Sequence, residues 1–289
     1  LHPVAHSFPT RRSSDLFRLD NYNDSSLLES ISAPLLTSIG GNLQVTEHEA
    51  LTTIGAFGPD LTVGNDLNVT ENWNLSDLTG LEGIRSVTGD VSIWRNSSGG
   101  TVSLSMSNLE TVGEYISIHE NGFAAIDLAV QDVGTDVTFQ RNAWAAAISM
   151  NNLQTVGGNF AYNWNGSSTD GTVASFAALE SVGGSLSFDG YYDGWDGQLE
   201  SLTLGTEGTP LVVGTDDGSN QYDFSMQSCD SLTTLDALAL TTVYGGVTLR
   251  HLSLSDLTGL SNLTTIARHL DVRWSSTLTS LARLSNVQT

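Results

Sequence analysis

A six-residue phrase, Leu67-Asn68-Val69-Thr70-Glu71-Asn72, constrains this chain more than any other feature. Written L-x-V-x-x-N, it sets two apolar side chains on one face of a strand and follows them with an Asn that closes a turn. It returns as Val91-x-Ile93-x-x-Asn96, Ile116-x-Ile118-x-x-Asn121, Val137-x-Phe139-x-x-Asn142 and Phe160-x-Tyr162-x-x-Asn165, with looser copies beginning at Leu43, Leu186, Phe224, Val247 and Leu270. From Leu43 the steps between copies are 24, 24, 25, 21, 23, 26, 38, 23 and 23 residues. A period in that range predicts a solenoid, in which each coil buries its apolar face only against its neighbours. The expected fold class is all-β: a right-handed parallel β-solenoid of about ten coils of 21–26 residues with one insertion. Frequent Gly and scarce Pro suit many short strands joined by tight turns.

A Gly-bearing lead-in recurs before six of the strands: Ile39-Gly40-Gly41, Val63-Gly64, Val112-Gly113, Val133-Gly134, Val156-Gly157-Gly158 and Val182-Gly183-Gly184. Gly there predicts positive φ or close backbone approach. The residue before each Val or Ile is small and polar (Ser38, Thr62, Ser86, Thr111, Thr155, Ser181, Thr242, Thr265), which predicts a hydroxyl column. Asn72, Asn96, Asn121, Asn142 and Asn165 occupy one position in five consecutive coils. An amide there can satisfy both a buried turn and its stacked neighbour, so a structural ladder is expected, with Cys229 in the same column as a buried, inert thiol. Between strands, runs such as Leu75-x-x-Leu78-x-x-Leu81-x-x-Ile84 predict short extended sides or 3₁₀ turns, being too brief for a stable amphipathic helix.

Phrases such as Leu36-Thr37-Ser38-Ile39-Gly40-Gly41-Asn42-Leu43 and Leu153-Gln154-Thr155-Val156-Gly157-Gly158-Asn159-Phe160 resemble receptor L-domain repeats, relatives of leucine-rich repeats. Multi-repeat versions are similar to fungal GPI-anchored cell-wall proteins and bacterial surface proteins. The resemblance spans roughly residues 27–289 and implies an extracellular solenoid; it carries over no functional residue. Residues 1–16 do not fit the repeat. The run from Ser7 to Leu16 resembles the translation of a sequencing-library adapter, and these residues are set aside as non-native. Residues 17–289 then form one solenoid, with Phe17-x-Leu19 as the remnant of a first coil. The stop at Leu284–Thr289, where a further lead-in would begin, predicts truncation at the C-terminal end.

Net charge is -22, and all ten basic residues are Arg. Such a surface repels nucleic-acid phosphates and anionic lipid, so neither is an expected partner. A lone cysteine excludes an internal disulfide framework and a Cys-based zinc cluster. No apolar run is long enough to cross a membrane, so this stretch is not expected to insert into one.

The 38-residue step holds the one candidate ligand site, Asp189-Gly190-Tyr191-Tyr192-Asp193-Gly194-Trp195-Asp196-Gly197. Insertions in repeat proteins map to one face, often the binding face. Its aromatic rings (Tyr191, Tyr192, Trp195) and carboxylates (Asp189, Asp193, Asp196) suit a sugar ring and its hydroxyls, with Trp164 of the adjacent coil extending the patch and Tyr162 in the core. Calcium on Asp189, Asp193 and Asp196, with Asp216 and Asp217 as further oxygen ligands, is the other reading of this stretch, though the spacing matches no calcium-loop pattern; no metal or other cofactor is otherwise expected. An outward row, Thr46, Thr70, Trp94, His119, Gln140, Asn163, Asp189, Arg250 and Arg273, suits an interaction surface. His48, His119, His251 and His269 are scattered, and no nucleophile-elbow, zincin or phosphate-loop motif appears. The expectation is a non-catalytic cell-surface binding, adhesion or envelope-structure module whose partner is a protein or glycan. A carbohydrate-binding or carbohydrate-active β-helix using residues 189–197 is the alternative.

Overall fold

The computed structural model describes residues 16–20, 27–97, 99–166, 171–192, 195–196, 199–218 and 221–288, with backbone only at 20, 191–192 and 195–196. Every copy of the repeated phrase forms a strand, and the strands lie side by side in one parallel sheet. That sheet has eleven strands in chain order, from Phe17–Asp20 through Leu43–Thr46, Leu67–Thr70, Val91–Trp94, Ile116–His119, Val137–Gln140, Phe160–Asn163, Leu186–Asp189, Phe224–Cys229 and Val247–Leu252 to Leu270–Arg273. Register follows the phrase without slippage: Leu67 pairs with Val91, Val91 with Ile116, and Ile116 with Val137. Phe17 pairs with Leu43, so the short first copy is a strand of the same sheet.

Two further faces complete each coil. A ten-stranded parallel sheet runs from Ser38–Ile39 to Thr265–Ile266 and carries the small polar column in register, with Asp132 and Val212 as its exceptions. The third face is a six-stranded sheet from Val102–Met106 to Thr234–Asp236, plus the pair Ser30–Ala33 and Thr53–Phe57. The Leu-x-x-Leu runs supply 3₁₀ turns at Thr79–Gly83, Thr258–Leu260 and Ala282–Leu284. Both expected forms of that face therefore occur. The architecture is a parallel β-solenoid of about ten coils.

The inward residues of all three faces form one continuous core. Alternation along each strand places Leu67 and Val69, or Ile116 and Ile118, inside with almost no exposure. Its widest layers stack Phe139, Phe160, Phe176 and Phe188, with Phe160 and Phe176 edge-on at 4.7 Å. Tyr162 lies in the same layers, fully buried as expected. Packing between coils, not a round core, hides this apolar surface.

The lead-in glycines serve close approach. A β-carbon at Gly134 would sit 1.8 Å from the Gly113 carbonyl oxygen, and one at Gly157 2.0 Å from that of Gly134. Neither has positive φ.

Candidate functional site: the corner after the long sheet

The chain turns sharply where each long-sheet strand ends. Nine residues there, Glu47, Glu71, Arg95, Glu120, Arg141, Trp164, Ser228, His251 and Trp274, adopt left-handed backbone with φ of 50–60°. A side-chain-bearing residue in that region costs on the order of 1 kcal/mol. The conformation swings the next side chain inward, and in five coils that side chain is the Asn of the repeat. Asn121 typifies the column. Its Oδ1 accepts the Asn96 backbone N–H (3.0 Å) and side-chain amide (3.2 Å), while its Nδ2 donates to Asn142 Oδ1 (3.2 Å) and to the Ile93 carbonyl (2.9 Å). Asn72, Asn96 and Asn142 repeat this pattern, and the His48 N–H donates to Asn72 at one end. All five amides are buried. Cys229 occupies the same column, its thiol 3.3 Å from the Gln227 carbonyl and pushed up to about 12 by burial.

The left-handed residues themselves point outward and form a second ladder. Arg95 bridges Glu71 (3.3 Å) and Glu120 (2.8 Å), and Arg141 reaches back to Glu120 (3.2 Å). Hydrogen bonds from the Arg95 guanidinium hold the Glu120 carboxyl below its ordinary range. Arg95 also lies over the Trp94 ring (5.0 Å), and Arg141 over Trp164 (5.3 Å). Trp94 stacks on His119 at 5.5 Å with the planes 4° apart; burial pushes the His119 pKa down. Farther along, His251 stacks on Trp274 at 4.9 Å.

The insertion opens at this same corner. Tyr191–Tyr192 and Trp195–Asp196 pair as a two-stranded antiparallel hairpin directly after Leu186–Asp189. Asp189 is half-buried and in register with Asn163 and Gln227. Trp164 lies at the corner of the preceding coil, with the Arg141 guanidinium over its ring. Asp193 falls outside the described residues. Among the described residues no three His, Cys, Asp or Glu side chains converge as a metal site, and Asp217 accepts from the Tyr222 hydroxyl (2.7 Å).

Two features escaped sequence reasoning. The residue before each Asn alternates Glu71, Arg95, Glu120, Arg141, a pattern readable at the repeat period. At the opposite corner, the side chain preceding seven of the long strands accepts the equivalent N–H of the next coil. Asp66 thus takes the Asp90 N–H (3.2 Å), Asp136 that of Asn159 (2.6 Å), Asn159 that of Ser185 (2.9 Å) and Asp223 that of Gly246 (2.6 Å). Part of the chain's acidity thereby serves coil-to-coil bonding.

The fold and its corners define a parallel β-solenoid with one ornamented edge. No protein-family profile matches the sequence, and no curated protein or solved structure matches it either.

Proposed function

We propose that this chain is a non-catalytic binding or adhesion module displayed outside the cell, built on a right-handed, receptor L-domain-like solenoid. The reading rests chiefly on one observation: a backbone that repeats coil after coil presents side chains that do not. At the corner after the long sheet the left-handed residue changes from Glu71 to Arg95, Glu120, Arg141 and Trp164 over five coils in which the buried column residue is always Asn, and then to Ser228, His251 and Trp274. A repeated scaffold with a varied outer edge suits recognition of an extended partner. Among the described residues no helix is long and apolar enough to cross a membrane, in keeping with a module held outside the bilayer. The labelled protein is expected to bind saturably to an array of extracellular glycans and ectodomains, and to release no new reducing ends from polysaccharides. Turnover would replace this reading with that of a carbohydrate-active β-helix, which the hairpin at Tyr191–Asp196 favours as the second choice.

A further inference from the structure

We infer that Trp144 is a stacking platform for a neutral, extended polysaccharide running along the corner after the long sheet. The inference deepens the binding-module reading and rests on it. Trp144 is 53% exposed although it is anchored. A β-carbon on Gly100 would fall 3.0 Å from Trp144 Cβ and 3.2 Å from its Cε3. The indole is therefore laid against bare backbone two coils away. Gly100 has φ of +68° and donates its N–H to the Gly122 carbonyl (2.9 Å), so a glycine bed is built into the coils beneath the ring. Anchorage against glycine backbone together with open exposure is the arrangement a ring needs to meet the apolar face of a pyranose. Trp73, 45% exposed, directly follows column residue Asn72 three coils earlier, one position nearer its Asn than Trp144 is to Asn142. One coil rise is close to the advance per sugar of an extended β-linked hexose chain.

Charge selects the class of polymer. The left-handed corner residues of the four coils from that of Trp73 to that of Trp144 are Glu71, Arg95, Glu120 and Arg141, two acids and two bases joined in one ladder. The strip is locally neutral on a chain of net charge -22. An anionic polymer meets long-range repulsion with no local compensation, and a cationic one finds stronger attraction elsewhere. Uncharged hydroxylated rings gain both the indole faces and the partly exposed donors and acceptors of the ladder.

The test is affinity electrophoresis and calorimetry of the full chain against soluble neutral β-glucans, with polygalacturonate for comparison. Neutral glucan binding that persists in high salt, falls about tenfold or more in Trp144→Ala and falls less in Trp73→Ala is expected, a tenfold loss being about 1.4 kcal/mol. Val173→Ala, which removes an exposed apolar side chain of the six-stranded sheet, should leave binding unchanged. Circular dichroism verifies that each variant is folded. Preference for polygalacturonate, or neutral binding indifferent to Trp144→Ala, overturns the platform. If the unsubstituted chain binds a protein ligand but no neutral glucan, the module reading survives and the platform does not. Absence of any ligand for the unsubstituted chain removes both.

Discussion

The coils from Leu67 to Asn165 and those from Phe224 to Arg273 take the same corner with different chemistry. In the first group the inward corner residue is always Asn, and each amide bonds across to its neighbours. In the second group the equivalent residues are Cys229, Leu252 and Ser275, the first two buried without amide chemistry. Yet Ser228, His251 and Trp274 keep φ near 50°, and strand register carries on unbroken. The turn therefore does not need the amide ladder. Strand pairing and the sealed apolar layers hold it, and the column tolerates two solutions, a run of mutually bonded amides or a run without amides. A mixed column is the costly state, because a low-dielectric interior penalises every orphaned donor and acceptor.

Exchanging the two solutions should expose that cost. Asn121→Leu, which imports the chemistry of Leu252, removes the acceptor of the Asn96 backbone N–H and the donor to the Ile93 carbonyl and Asn142 Oδ1, while the Asn96 side-chain amide keeps the Val69 and Trp94 carbonyls. A loss of about 3–5 kcal/mol in urea unfolding is expected. The reverse exchange, Cys229→Asn, places an amide beside Leu252, which offers it no side-chain partner; about 1–3 kcal/mol should be lost. Equal effects for the two exchanges would dissolve the distinction between the regions.

The outer ladder should matter less, and in a pH-dependent way. Glu120 is held below its ordinary carboxylate value of 4.5 by Arg95 and Arg141. Its contribution is full above that value and disappears as pH falls through the lower folded-state value. Glu120→Gln should therefore cost at most about 1 kcal/mol near neutral pH, the two unfolding curves converging in acid. Ser275→Ala should be the mildest change, below about 0.5 kcal/mol, because Ser275 is only part-buried and holds the Leu252 N–H at 3.4 Å.

Much of this was legible in the chain. The two-residue alternation of Val91 and Ile93, or Phe160 and Tyr162, sets the inward face, and the period brings equivalent residues side by side. The Asn column follows because five amides at one phase need partners of their own kind. Other features left fainter marks. Glu, Arg and Trp do not advertise positive φ as Gly does, so the strained position was hidden one residue before each Asn. The opposite ladder mixes Asn, Asp and Ser, and only coordinates show them sharing a role. Gly134 read equally as a turn or as close approach, and the 1.8 Å to the Gly113 oxygen decides between them. Trp144 and Gly100 meet across 44 residues, a contact periodicity alone does not specify. The insertion was visible as a break in step; its hairpin geometry was not.

The core, the Asn column and the outer ladder all depend on consecutive coils lying in register, and paired cysteines test that directly. Ser92 and Ser117 are neighbours on the outer face of the long sheet, so Cα atoms about 4.8 Å apart allow a disulfide. Cys229, buried with its thiol pushed up to about 12, will not compete. Ser92→Cys with Ser117→Cys should close under mild oxidation, whereas Ser92→Cys with Thr138→Cys, two coils apart, should not. Efficient closure of the second pair, or failure of the first in a folded variant, would contradict the stacking of these coils.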